Sequence, residues 1–288
     1  MQQSIDENEF KLIRDYIAEV SGVVIPPEKS YLIETKLFKL VLDYGTESFD
    51  EFYYEIISRN DQEITQKIID SITVNETFWF RDAVLWKCFE QEILPRYVDE
   101  LITGKKSKIR IWSAAVSTGQ EAYSIAMCID NYLKRNNITS VSLSDFDIFA
   151  TDISNRVLDI ARSGRYDRIS ISRGLSEHYK ANYFKNDGSA WDLDPDIRSA
   201  VRFRRFNLKD TYKGFGKFDA IFCRYVLIYF SSTLKNDIAF RMNNSLVNGG
   251  VFLTGHYVLY DMLKEIYDVN NYGNLTYYTK KTANKDGD

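Results

Sequence analysis

From Lys108 onward, short apolar runs rich in β-formers alternate with helix-like stretches. The runs are KIRIW, FDIFATDI, VRFRRFN, FDAIFCRYV, GGVFLTGHY and LTYYTKK. Parallel strands cannot be joined by a tight turn; they need a crossover, usually a helix. The alternation therefore points to an α/β fold, a mostly parallel sheet with helices on both faces. One stretch breaks the pattern. Residues from about 165 to 200, between the second and third runs, are polar yet carry Tyr166, Tyr179, Tyr183, Phe184 and Trp191. We read them as an inserted subdomain; the alternative is a long surface loop.

Residues 1–73 contain no such runs and read as helices. Phe10, Ile13, Ile17 and Val20 recur at helical spacing. Gly22 ends that helix, and Pro26-Pro27 makes a rigid connection to the next, from Glu28 to Asp43, which Gly45 terminates. Ser48 and Glu51 have the spacing of a capping box opening SFDEFYYEII. A fourth helix is expected from about Gln62 to Ile72. The expected organisation is an all-helical domain over 1–73 and an α/β domain over 74–288 with the insertion inside it.

In an open parallel sheet, ligands bind beyond the carboxyl ends of the strands. The first run ends in SAAVSTGQE, the second in Asp152, the third in Asn207-Leu208, and the fourth in Cys223-Arg224-Tyr225 with Tyr229 a turn later. The first of these loops lacks the glycine spacing that admits a pyrophosphate and the Lys-Ser/Thr of a triphosphate site. It carries Glu121 instead. Asp152 is placed to accept hydrogen bonds from both hydroxyls of an adenosine ribose. A ribose acceptor beside a loop unsuited to phosphate suggests a nucleoside without phosphates, and S-adenosylmethionine fits. Its adenine would lie near Leu208 with a polar contact from Asn207, and its ammonium would pair with Glu121. Taken singly, an Asp after a strand more often makes a turn or caps a helix, and a Glu in a first helical turn often complements the dipole. Four strand tips in order carry more weight than any one of them. Between the domains, NETFWFRD (75–82) offers Asn75, Thr77 and Arg81 around an apolar FWF expected to pack. Arginine suits two-point capture of a carboxylate; a capping Asn or Thr beside a surface Arg is the alternative.

Composition removes several other classes. Two histidines, His178 and His256, make a histidine-rich metal site or a Ser-His-Asp triad an unsuitable reading, and the three cysteines show no metal-ligand spacing. A net charge of −4 argues against a general nucleic-acid binder. No apolar run is long enough to span a bilayer. The first residues, MQQSIDENEF, are too polar for a secretion signal. Unpaired cysteines fit a reducing compartment, so a cytoplasmic location is expected.

The motifs NETFWFR, WSAAVSTGQEAYSIA, ATDISNRVLDIARSGRY, FNL and FDAIFCRYVLIYF, with SGVVIPPEKSYLIETKL in the helical part, resemble the chemotaxis receptor methyltransferase family of CheR type over nearly the whole chain. The resemblance implies a Rossmann-like S-adenosylmethionine-dependent methyltransferase domain. It also implies a small β-subdomain inserted after ARSGRY and an all-helical N-terminal domain. It implies transfer of methyl groups to glutamates on the cytoplasmic helices of chemoreceptors, with S-adenosylhomocysteine as product and no metal. Carried over by motif, the cofactor contacts are Asn75, Thr77, Arg81, Glu121, Asp152, Asn207, Leu208, Cys223 and Arg224. Arg81 and Tyr229 are implied near the transferred methyl and the acceptor. Whether Arg81 holds the methionyl carboxylate, the acceptor glutamate or both stays open. Lys29, Lys36 and Lys39 offer a docking face for an acidic helical bundle, or are simply a solvated face. The family also includes members that add a receptor C-terminal peptide to the β-subdomain; the short segment between Phe184 and Val201 points to a member working without it. Departures from the family pattern include Gly-Gln-Glu-Ala at the helix start, Tyr225 where Asn is usual, and Tyr257 where Ser is usual. The competing readings are methylation of another signalling protein and a module that binds the cofactor without turnover.

Overall fold

The computed structural model describes residues 5–255 and 264–282. Tyr257, singled out above, lies outside them.

The helical domain comprises α1 (Glu7–Ser21), a single helical turn at Pro27–Lys29, α2 (Ser30–Asp43), α3 (Phe49–Arg59) and α4 (Gln62–Ile72). Asp6 and Glu9 close a reciprocal capping box on α1, and Gly22 ends that helix in the left-handed conformation at φ 82°. The box expected at α3 is half made. Ser48 accepts the Glu51 amide, but the Glu51 carboxylate takes the Glu47 amide instead. Ile13, Ile17, Ile33, Leu37, Phe52 and Ile68 converge in a core of their own.

The connection to the second domain is helical, which the sequence reading did not assign. α5 (Ala83–Cys88) passes through a π-helical turn (Phe89–Ile93) into α6 (Leu94–Ile102). There follow β1 (Ile109–Ala114), α7 (Gln120–Arg135), β2 (Phe146–Asp152), α8 (Asn155–Ser163), the insertion, β6 (Val201–Arg205), β7 (Phe218–Cys223), α12 (Ser232–Ser245), β8 (Leu246–Leu253), β9 (Tyr267–Tyr272) and β10 (Leu275–Lys280). Among the described residues the main sheet has seven strands, ordered β6-β2-β1-β7-β8-β10-β9. The first five in that order pair in parallel, and β10 and β9 complete the edge antiparallel. β7 is fully buried and β1 and β2 are buried at all but their second residues; the three read as nearly continuous apolar runs because both sheet faces are covered. The strand order reverses between β1 and β7, so the topological switch point opens beside the carboxyl end of β1.

The insertion is β3 (Arg165–Tyr166), α9 (Arg168–Ser172), α10 (Glu177–Tyr183), β4 (Phe184–Asn186), β5 (Trp191–Leu193) and α11 (Pro195–Ser199). Its strands form a separate antiparallel sheet ordered β3-β5-β4. Trp79 anchors it. The ring is fully buried, packs edge-on to Tyr166 and Phe184, and donates its indole N–H to the Ser170 carbonyl at 3.1 Å. The apolar FWF is thus packing, as expected. The helical domain is also tied in. Val23 and Phe230 form an antiparallel bridge, the Val24 amide donates to the Tyr229 carbonyl at 2.8 Å, and Gln66 reaches the Ile153 carbonyl. Among the described residues no helix is long and apolar enough to cross a membrane.

Candidate active site

The cleft at the switch point is lined from three directions. The strand tips contribute the loop after β1, Asp152, Asn207, Leu208, Arg224, Tyr225 and Tyr229; the connection contributes Asn75, Thr77 and Arg81; and the helical domain contributes Ser21 and Val23. Of the residues expected from sequence to form the site, only Cys223 does not line it. Side chains alternate along a strand, and the Cys223 thiol is fully buried in the core on the opposite face, where burial pushes its pKa far above the ordinary value. Arg224, the next residue, faces the cleft.

Asp152 is almost buried. One of its oxygens accepts the Ser117 amide at 2.8 Å and the other the Ser154 amide at 3.0 Å. Burial raises its pKa, against the lowering pull of those amides. The amides hold the carboxylate at the end of β2 and leave each oxygen a free lone pair, which is what a ribose diol requires. The Ser117 hydroxyl donates to the Asn75 carbonyl at 2.8 Å, fastening the connection to the β1 loop. In that loop Ala115 and Ser117 have φ of 60° and 53°, a conformation costly for residues with a Cβ. Such strain persists where surrounding contacts over-determine it, and it clusters at ligand sites. Gly119, with φ 96°, opens α7. A Cβ there would sit 2.9 Å from the Ala161 Cβ and 3.2 Å from the Tyr166 hydroxyl oxygen, so this glycine serves the packing of α7 against α8 and β3.

The deepest charged group is Arg224, whose side chain is 2% exposed. It donates to Glu121 at 2.8 Å, to Asp82 at 2.6 Å and to the Arg81 carbonyl at 2.7 Å. Burial works against its charge, but Glu121 and Asp82 outweigh burial and raise its pKa. Glu121 also accepts the Ser113 hydroxyl at 2.7 Å. A carboxylate has about four acceptor positions, so Glu121 keeps capacity for a ligand ammonium. Arg224 Nε is buried without a hydrogen-bond partner. Asp82, the partner of Arg224, was the part hardest to read from sequence. Asp82 was not named at all, although it directly follows Arg81 and its carboxylate is only 17% exposed.

Arg81 and Tyr229 line the same cleft, both partly buried. The Arg81 guanidinium lies 3.5 Å from the Tyr225 ring centroid and 5.4 Å from that of Phe78, and donates to the Glu76 carbonyl at 3.3 Å. Burial raises the Tyr229 pKa while the Arg81 charge opposes the rise, which puts the two groups within electrostatic reach of each other. Asn207 has a second role that its sequence position did not reveal: its amide donates to the Val20 carbonyl at 3.0 Å, across the domain seam. Leu208 is buried beside it and supplies an apolar wall.

The donor set fits S-adenosylmethionine. It offers a carboxylate for a ribose, an acid for an ammonium and an apolar wall for an adenine. Among the described residues no group of three or more His, Cys, Asp or Glu side chains is placed to hold a metal.

Comparison with known proteins agrees with this site. The family description "CheR methyltransferase, all-alpha domain" matches residues 8–73, and "CheR methyltransferase, SAM binding domain" matches residues 75–268. Chemotaxis protein methyltransferase 1 of Pseudomonas aeruginosa is 39% identical over 249 residues, covering 86% of this chain and 88% of that one. Chemotaxis protein methyltransferase Cher2 of Pseudomonas putida is 37% identical over 248 residues, with the same coverage of both chains. The chemotaxis protein methyltransferase of Borreliella burgdorferi is 32% identical over 257 residues, covering 88% of each. A helical domain closing on a cleft with acids where a phosphate-free nucleoside needs them, in a sequence matched over most of its length by such relatives, leads to one assignment: the chain belongs to the CheR methyltransferase family and carries its SAM-binding domain.

Proposed function

We propose that this chain methylates glutamate side chains on the cytoplasmic helices of chemoreceptors, giving glutamyl methyl esters and S-adenosylhomocysteine. The observation that carries the reading is the layout of the cleft. Asp152 and Glu121, acids suited to the cofactor's ribose and ammonium, and Arg81 and Tyr229, groups able to hold a second carboxylate, line one cleft. The cofactor supplies a methyl group on a positively charged sulfur. A glutamate with a pKa near 4.3 is already ionised at neutral pH, so no general base is needed, and none of the cleft's described residues is a histidine. An acceptor oxygen forms the new C–O bond as the C–S bond breaks, and the electron pair leaves with sulfur. The chain's task is then alignment. Asp152 and Glu121 would fix the two ends of the cofactor, Leu208 and Asn207 its adenine, and Arg81 with Tyr229 the acceptor oxygen that does not react. The cytoplasm is where such receptor helices lie, and it is the proposed site of action.

The β-subdomain supports a member that needs no receptor C-terminal peptide. Its outer strands are only two and three residues long, and Arg165 on β3 is already engaged with Asp187 and Asp192. The test is transfer of labelled methyl from S-adenosylmethionine to a receptor cytoplasmic fragment, followed by mild base. Receptor-bound label released as methanol is the expected result. Cofactor binding without base-labile label on any receptor would refute the glutamate assignment and favour another acceptor or a binding role.

A further inference from the structure

We propose that Tyr225 is the positioning residue for Arg81: its ring is the platform on which the guanidinium rests, and its hydroxyl fixes that platform to Asp82. The inference rests on the reading of this cleft as the methyl-transfer site and extends it to a residue with no assigned part.

Tyr225 has φ 58°, an outlying conformation for a bulky side chain. The strain faces a second strained residue, Asp82 at φ 66°, and the two are joined by a 2.6 Å hydrogen bond from the phenol to the carboxylate. Arg224 clamps the same carboxylate at 2.6 Å and the Arg81 carbonyl at 2.7 Å. The backbone of Arg81 is held again by the Trp86 indole, which donates to the same carbonyl at 2.8 Å. The main chain on both sides is thus fixed, while the long Arg81 side chain has little else to orient it. Its other contacts are a 3.3 Å hydrogen bond to the Glu76 carbonyl and Phe78 at 5.4 Å. The Tyr225 ring at 3.5 Å is the near neighbour. Stacking an arginine on an aromatic face restricts its rotamers and leaves the edge N–H groups free to hold an oxygen. Gly255, with φ 71°, packs its backbone against the same ring: a Cβ there would be in ordinary contact with it at 3.5 Å.

The variants follow from the backbone. Asparagine tolerates a left-handed conformation well, so Tyr225→Asn removes the ring while keeping the main chain. Tyr225→Gly serves the same purpose if the first does not fold. Tyr225→Phe keeps the ring and loses only the anchor to Asp82. The first readout needs no substrate: the rate at which phenylglyoxal modifies Arg81 in the ligand-free protein, followed by peptide mass spectrometry. The expected result is acceleration of about fivefold or more in Tyr225→Asn and a smaller acceleration, about twofold, in Tyr225→Phe, which keeps the ring without its anchor. The second readout is methyl transfer in a cycle with Arg81→Ala. Tyr225→Asn should lower kcat/KM for the acceptor about tenfold in the native background and less than about twofold once Arg81 is gone. Unchanged Arg81 reactivity in Tyr225→Asn, or an equal loss in both backgrounds, overturns the proposal. If the native protein methylates no glutamate, the function reading fails, and the modification rate still decides the Tyr225–Arg81 coupling.

Discussion

Replacing Arg224 with methionine should be among the most damaging single changes at the cleft, and the reason is electrostatic. The guanidinium is 2% exposed and lies between Asp82 and Glu121, whose side chains are 17% and 12% exposed. Methionine fills much of the volume but leaves two half-desolvated carboxylates facing each other. Removing one partner of a buried pair typically costs about 3–5 kcal/mol, because the charge left behind is uncompensated. For a domain of this size that corresponds to roughly 6–20 °C in Tm. The assay is thermal and urea unfolding of the ligand-free protein, which keeps cofactor linkage out of the comparison. The discriminating variant is Arg224→Met combined with Glu121→Gln. Neutralising one stranded acid should recover about 1–2 kcal/mol of the loss, so the double variant should be more stable than the single one. A double variant as unstable as Arg224→Met, or worse, would show that Arg224 contributes packing rather than charge compensation, and the reasoning would fall.

Arg81→Ala should leave unfolding nearly unchanged, since its side chain is partly exposed and makes no ion pair among the described residues, while lowering kcat/KM about 100-fold or more; unchanged turnover would remove it from the site. Trp79→Ala should cost about 3–5 kcal/mol in urea unfolding and loosen the β-subdomain, read as faster hydrogen exchange across residues 165–200, because a fully buried ring and its bond to Ser170 are lost together. Burial raises the Asp152 pKa in the folded chain above its ordinary 3.8. The folded state therefore holds that proton more tightly than the unfolded state, so this residue's contribution to stability is greatest below 3.8 and falls as pH rises through the folded pKa. Calorimetric binding of S-adenosylhomocysteine should show the opposite trend, weakening as pH falls through that range, and Asp152→Asn should abolish the dependence.

The central strands β1, β2 and β7 were legible because their apolar runs are nearly continuous, as burial on both faces demands. β9 was not, because YDVNNY is an edge strand whose side chains mostly face water and so carries no apolar signal. The helical connection was also missed. Attention to NETFWFRD ended at Asp82, although Leu85, Trp86, Phe89 and Leu94 beyond it are all buried. Asp152, Leu208 and Arg224 were found because strand ends are where ligands bind. Cys223 was placed in the cleft because position along the chain was followed rather than the alternation of side chains. What sequence could not disclose were pairings across long separations, such as Asn207 with Val20 or Arg224 with Asp82, where neither residue type announces its partner.

Those long-range pairings bear on why the chain keeps a helical domain beside its catalytic fold. The helical domain is part of the wall of the cleft. Asn207, expected to contact adenine, already spends its amide N–H on the Val20 carbonyl, and the Tyr229 carbonyl accepts the Val24 amide. A residue on each side of the site is therefore set by the end of α1 and the segment that follows it, and Ser21 and Val23 there line the cleft themselves. Displacing the helical domain would release Asn207 from its hydrogen bond, free the Tyr229 backbone and open the adenine side to water. It follows that the isolated second domain, even if it folds, should bind S-adenosylhomocysteine more weakly than the full chain, and that adding the helical domain as a separate polypeptide should restore part of that affinity. Equal affinity for the full chain and the isolated domain would show that the seam contributes nothing to the site, and the structural argument for a shared cleft would fail.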